Sequence, residues 1–152
     1  SIGCLEHYAS TSALVRCFTQ RSAEAGIQYP GKEINGELIV HLYKEGNKLA
    51  TECLEEHCDY LGHGIAGFIN IFSPQRIVIG GGLSEAGDFY IEKVSRQAHR
   101  YAIPDCAVNT EIIAARLGNK RYSEPKRHNE RQHSKVSFHN NSVSDFFCTI
   151  VD

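Results

Sequence analysis

One apolar stripe constrains the architecture of this chain more than any other feature. Leu49, Cys53, Leu54, His57, Leu61, Ile65, Phe68, Ile69 and Phe72 recur at helical spacing, which predicts one long helix from about Lys48 to Phe72. Gly62, Gly64 and Gly67 lie inside it, each costing about 1 kcal/mol relative to alanine. Glycines kept at such positions point to close packing on a neighbouring backbone. Ser73-Pro74 ends the helix, because the residue before proline avoids the helical region.

The flanking segments read as α/β. Leu5, Tyr8, Ala9, Ser12, Ala13, Arg16 and Cys17 share a helical face, predicting one helix to about Glu24, before Gly26 and the Tyr29-Pro30-Gly31 turn. Asn35 is placed to cap a short helix carrying Leu38, Ile39, Leu42 and Tyr43, and Gly46-Asn47 breaks it. Beyond the long helix, Arg76-Ile77-Val78-Ile79 is a short buried strand between Pro74 and the triplet Gly80-Gly81-Gly82. Asp88 is the expected N-cap of a helix running to about Tyr101, stopped by Pro104. Val108 to Ala114 reads as a second strand. The order helix, strand, glycine turn, helix, strand favours a parallel pairing.

Composition narrows the class of partner. The chain has 152 residues and 41% hydrophobic content, enough for one domain with a real core. A net charge of −2 provides no global attraction for nucleic acid or an anionic membrane. No apolar run approaches the roughly 18 residues of a membrane span, and Glu6, His7 and Arg16 interrupt the first apolar residues as no signal peptide would. The expected location is cytoplasmic. Six cysteines are scattered with no C-x-x-C pair. Of these, Cys17, Cys53, Cys58 and Cys106 read as small buried hydrophobes.

After about residue 118 the character changes. Residues 119–135 carry six Lys/Arg against two Glu, a net +4, while residues 1–118 carry −4. The segment 119–152, rich in polar residues, reads as an atypical, poorly structured polar and basic tail. Its abrupt onset suggests a frameshift or an aberrant terminus.

Three segments carry a resemblance. Gly3-Cys4-Leu5-Glu6, followed by Tyr8-Ala9-Ser10, resembles the end of the motif C-x-C-G-x-x-G-C-x-E. Ile77-Val78-Ile79-Gly80-Gly81-Gly82-Leu83 and Ala114-Ala115-Arg116-Leu117-Gly118-Asn119-Lys120 follow in order. The three together resemble the C-terminal portion of the ROK family of bacterial sugar kinases and repressors, with the first segment the most diagnostic. The resemblance implies the C-terminal part of an actin-like ATPase (ribonuclease H-like) sugar-kinase domain, with an incomplete sheet and long helices. Residues 1–118 would be that partial domain.

What the resemblance implies for function can be stated residue by residue. Glu6 would contact the sugar: an ionised carboxylate accepts hydrogen bonds from two adjacent hydroxyls. On spacing alone, Glu6 reads rather as a first-turn acid that favours the helix dipole. Gly80, Gly81 and Gly82 would lie along ATP, although by itself a triple glycine is a tight turn and not a G-x-G-x-x-G pattern. Cys4 matches the last thiolate of a four-ligand zinc site. Its companion ligands would precede residue 1, leaving the Zn²⁺ site incomplete. His57 with Cys58, or His128, His133 and His139, fit no known ligand set. His7 reads as a surface histidine, and Asp59, Asp88 and Asp105 as surface or capping residues.

No catalytic residue is assigned in this chain, since the family's general base and phosphate loop lie upstream of its zinc motif. The expected function is therefore the C-terminal piece of an ATP- and Mg²⁺-dependent hexose kinase, taking glucose or an N-acetylhexosamine and inactive alone. The alternative is the sugar-binding effector domain of a ROK repressor, in which case DNA becomes a partner. A non-functional gene fragment is a third reading. Homo-oligomers are expected from the family.

Overall fold

The computed structural model describes residues 3–115 and the backbone of two further strands, residues 135–138 and 147–151. The elements are α1 (Leu5–Ala9), α2 (Thr11–Glu24), α3 (Gly36–Lys44), α4 (Lys48–Phe72), β1 (Arg76–Gly80), a 3₁₀ turn (Gly82–Ala86), α5 (Asp88–Tyr101), α6 (Pro104–Ala107), β2 (Glu111–Ala114), β3 (Lys135–Phe138) and β4 (Phe147–Val151).

Helix α4 has the predicted bounds and is the element that the other helices pack around. Asn47 starts it, its Oδ1 accepting from the Ala50 amide at 2.9 Å. Ser73 ends it in the left-handed region at φ 43°, with its amide donating to the Ile69 carbonyl. Cys53, Leu54, His57, Leu61, Ile65 and Ile69 of the predicted stripe are buried, while Phe72 at the last turn is exposed. The three glycines divide. A Cβ on Gly62 would fall 2.5 Å from Cβ of Gln97 and 3.0 Å from the Ala98 amide nitrogen on α5. A Cβ on Gly64 would meet the Leu5 side chain of α1 at 2.4 Å. A Cβ on Gly67 would meet nothing within 4 Å. Close packing on a neighbouring backbone therefore holds for Gly62 alone; Gly64 makes room for a side chain, and Gly67 for neither.

The first helix is two helices. Ser10 adopts extended backbone (φ −83°, ψ 162°), and its Oγ accepts from the Ala13 amide at 3.1 Å, capping α2 afresh. This elbow resets the helical phase. The buried residues of α2 are Ala13, Leu14, Phe18 and Ser22, whereas Ser12 and Arg16 of the predicted face lie outside. Asn35 caps α3 as expected, its Oδ1 accepting from the Leu38 amide. Asp88 does not cap α5. The N-cap is Gly87 at φ 120°, which a β-carbon would strain, and Asp88 is the first helical residue.

Strands β1 and β2 pair in parallel, Ile77 opposite Ile112 and Ile79 opposite Ala114. The second strand begins at Glu111, because residues 104–107 form α6 and the Thr110 hydroxyl is tied to the Pro74 carbonyl at 2.6 Å. Two stretches of the expected unstructured tail are strands: β4 runs antiparallel to β1 and β3 antiparallel to β4, giving the sheet order β2-β1-β4-β3. The physical reason lies in β1, whose second edge would otherwise present unpaired backbone groups. The other residues of the tail lie outside those described.

Helix α5 packs against both α4 and the sheet. Tyr90, Val94 and Ala98 of α5 are buried, and Tyr90 shares a 3.0 Å hydrogen bond with Nε2 of His57. Burial holds the His57 imidazole down at about 4, so it is neutral at pH 7. Outside the core, the Tyr101 hydroxyl donates to Asp59 at 2.8 Å and the His63 ring stacks on Tyr101. No described helix is long and apolar enough to cross a membrane.

Two predictions follow from the core. Gly62→Ala destabilises the fold by about 2 kcal/mol in urea unfolding, because the methyl meets α5 backbone and overpacking outweighs the helix-propensity gain; Gly67→Ala stabilises it by about 1 kcal/mol. Equal effects at the two positions would contradict the α4–α5 approach described here. Second, the unfolded chain protonates His57 near its ordinary value of 6.5 while the folded chain resists to about 4. Stability is therefore full above about pH 6.5 and falls as pH drops towards 4, by up to about 1.4 kcal/mol per pH unit from this group. Comparing His57→Gln with the parent between pH 7 and 4.5 isolates that slope, which the variant should lose.

Candidate functional site

The candidate site is built where the α1–α2 elbow meets the turn after β1. Gly80 closes the strand and is buried, and Gly81 has φ 104°, a conformation that favours glycine. The turn is braced from below. The Ser84 hydroxyl donates to the Gly81 carbonyl at 2.7 Å and the Ser84 amide to the same oxygen at 3.0 Å. Leu83 is buried in the core, anchoring the turn. Gly82 faces the other way: it is exposed, and a Cβ there would meet nothing within 4 Å. The outer face of the turn is thus open for a ligand to approach the backbone, the geometry that a nucleotide-facing glycine turn requires.

The elbow arrives at this turn through small side chains. Ala9, Thr11, His57, Gly80, Gly81, Leu83 and Tyr90 line one cavity of about 10 Å³, room for about one water molecule. Thr11 also lies against the position a Cβ on Gly36 would take, at 3.1 Å, and Leu83 is 3.6 Å from the same position. His57 Nδ1 is buried without a hydrogen-bond partner among the described residues. Sequence reasoning missed this wall. The Ser10-Thr11 cap signal was available, but no local pattern pairs His57 with Tyr90, 33 residues on.

Glu6 sits in the first turn of α1, half-buried, one helical turn before Ala9. It does not line the cavity itself; Ala9 and Thr11 do. Because α1 has only five residues, it supplies little macrodipole to favour an acid there. Cys4 is the N-cap of α1 and is exposed, following Gly3 at φ 88°. Among the described residues no group of three or more His, Cys, Asp or Glu could hold a metal ion. His57 with Cys58 is no exception, since His57 Nε2 is taken up by Tyr90 and burial pushes the Cys58 thiol up to about 12. His7 is exposed; its carbonyl accepts from Arg16 at 2.7 Å.

The chain is similar to known proteins in sequence and in fold. A glucokinase of Streptomyces coelicolor is 33% identical over 131 residues, covering 79% of this chain and 41% of that protein. A xylose repressor of Caldicellulosiruptor bescii is 27% identical over 125 residues, covering 79% of this chain and 31% of the repressor. The chain thus spans less than half the length of either relative. The crystal structure of a ROK family glucokinase from Streptomyces griseus in complex with glucose and AMPPNP superposes with a TM-score of 0.68 at 28% identity, over 78% of this chain and 41% of that one. The model of the ROK family matches residues 1–122. The glycine turn, the α1–α2 elbow and the long helix behind them all fall inside that match, and the chain belongs to the ROK family.

Proposed function

We propose that this chain is the C-terminal portion of an ATP-dependent hexose kinase, in which Glu6 holds the sugar and the Gly80–Gly82 turn lies along the nucleotide. The observation that supports it most is the junction of elbow and turn. Ala9 and Thr11 share a wall with Gly80 and Gly81, and Glu6 is one helical turn from Ala9. A sugar on the acid and a nucleotide over the open face of Gly82 would be neighbours.

Each group has a defined task. The Glu6 carboxylate accepts from two vicinal sugar hydroxyls, which fixes the sugar's orientation and favours a hexose or N-acetylhexosamine over an apolar ligand. The turn contributes amide donors and closeness, with Ser84 and Leu83 holding its shape. When bound, MgATP would supply the phosphoryl group for a sugar hydroxyl. No residue of this chain matches the family's general base or phosphate loop, so the 152-residue chain by itself binds and does not turn over.

The xylose repressor among the relatives favours a second reading, a sugar-binding effector domain. Nucleotide separates the two: the kinase portion binds AMPPNP at the turn, and the effector domain binds sugar alone.

Calorimetry on the whole chain checks both ligands. Glu6→Gln should weaken glucose or N-acetylglucosamine binding by roughly 10- to 100-fold, the loss of one charge-assisted pair of hydrogen bonds, with AMPPNP binding unchanged. Gly82→Val should weaken AMPPNP and leave the sugar alone. Sugar affinity indifferent to Glu6→Gln, or robust ADP release with glucose, would overturn the proposal.

A further inference from the structure

The thiols of Cys17 on α2 and Cys53 on α4 lie 3.6 Å apart. Among the described residues no other pair of cysteines is in contact. We propose that Cys17 and Cys53 form a dithiol modification site, which a two-electron oxidant of the hydroperoxide class converts into a reversible disulfide bridging α2 and α4. A disulfide needs its sulfurs at about 2.05 Å, so the pair has to close by about 1.5 Å for the bridge to form.

The two thiols are unequal, and the difference assigns their roles. Cys17 is half-buried and Cys53 fully buried, so an oxidant meets Cys17 first. Arg21, one turn further along α2 and paired with Glu56 of α4, is close enough for its charge to act on both sulfurs. Burial and the Cys17 contact push the Cys53 thiol up to about 12, so it stays protonated until the second step.

The chemistry balances with peroxide alone. The Cys17 thiolate attacks one peroxide oxygen, the O–O bond breaks, and hydroxide leaves a sulfenic acid on Cys17. The Cys53 sulfur then attacks the Cys17 sulfur. The S–O bond breaks, and the departing hydroxyl takes the Cys53 proton and leaves as water. In sum, two thiols are oxidised, one hydrogen peroxide is reduced, and two waters form. The other described cysteines lack a partner for the second step: Cys58 is buried, Cys4 is exposed and Cys106 is half-buried, each without a thiol neighbour among the described residues.

The bridge would span a separation of 36 residues and would hold α2, the continuation of the elbow, against α4. Restricting the unfolded chain in this way stabilises the fold. Neither the thiol geometry nor its test depends on sugar or nucleotide binding.

The test uses the full chain in dilute hydrogen peroxide, followed by N-ethylmaleimide, proteolysis and mass spectrometry. Expected are a Cys17–Cys53 cross-linked peptide, two of the six thiols lost, full reversal by dithiothreitol, and a rise of roughly 10 °C in the unfolding midpoint. In Cys53→Ser the sulfenic acid cannot be resolved, so Cys17 should take a dimedone adduct that the parent chain does not. The proposal is overturned if both peptides return alkylated under peroxide that oxidises exposed Cys4. It is equally overturned if cross-links run through other cysteines, or if Cys53→Ser leaves Cys17 unreactive to dimedone.

Discussion

The fold depends on how closely α4 and α5 approach at Gly62. With no side chain there, Gln97 and the Ala98 backbone of α5 come within 3.0 Å or less of where a β-carbon would stand. That approach puts Val94 and Ala98 fully into the core. It also carries Tyr90, two turns earlier on α5, to the buried ring of His57. Since α5 follows the glycine turn directly, its seating on α4 decides where that turn lies. A single missing methyl group therefore reaches from the core to the candidate nucleotide face.

Two residues further along α4, a second glycine does the same for the segment around Glu6. Gly64 receives the Leu5 side chain of α1, and Ser10 turns the chain sharply into α2. The elbow is then held beside the glycine turn and α3, where Thr11 and Leu83 both lie against Gly36. Two parts of the sequence more than 70 residues apart thus come together over a common wall of small side chains. Polar contacts around this frame, such as Arg76 with Glu111, are largely exposed and contribute little to stability. The burial of Leu54, Leu61, Ile65, Ile69, Ile77 and Ile79 dominates.

Much of this is legible from residue pattern. The 25 residues of α4 carry a strong enough periodicity that both ends are recognised, with Asn47 and Ser73-Pro74 as punctuation. The parallel β1–β2 pair follows from element order. What escapes is local competition. Ser10 lies inside a continuous helical pattern and still breaks it, because its hydroxyl caps the Ala13 amide. Gly87 takes the cap position that Asp88 was expected to hold, since the backbone there needs positive φ. The strands at 135–138 and 147–151 escape because their reason for forming is the open edge of β1, which no local pattern reveals. The Cys17–Cys53 contact escapes likewise: two cysteines that read as apolar fillers become a thiol pair only when α2 and α4 pack. At the candidate site, the motif around Glu6 and the glycine triplet can be read directly, whereas the wall of Thr11, His57 and Tyr90 behind them is a product of tertiary packing.

The central claim is that the segment around Glu6 and the turn at Gly80–Gly82 form one binding region, the first for sugar and the second for nucleotide. The most direct measurement is amide chemical-shift mapping on the ¹⁵N-labelled chain, titrated with glucose and with AMPPNP separately. The account predicts glucose shifts concentrated in Leu5–Thr11 and AMPPNP shifts in Gly80–Ser84, each ligand weakly perturbing the other's segment through the shared wall. Shifts from either ligand confined to surfaces remote from both segments would contradict it.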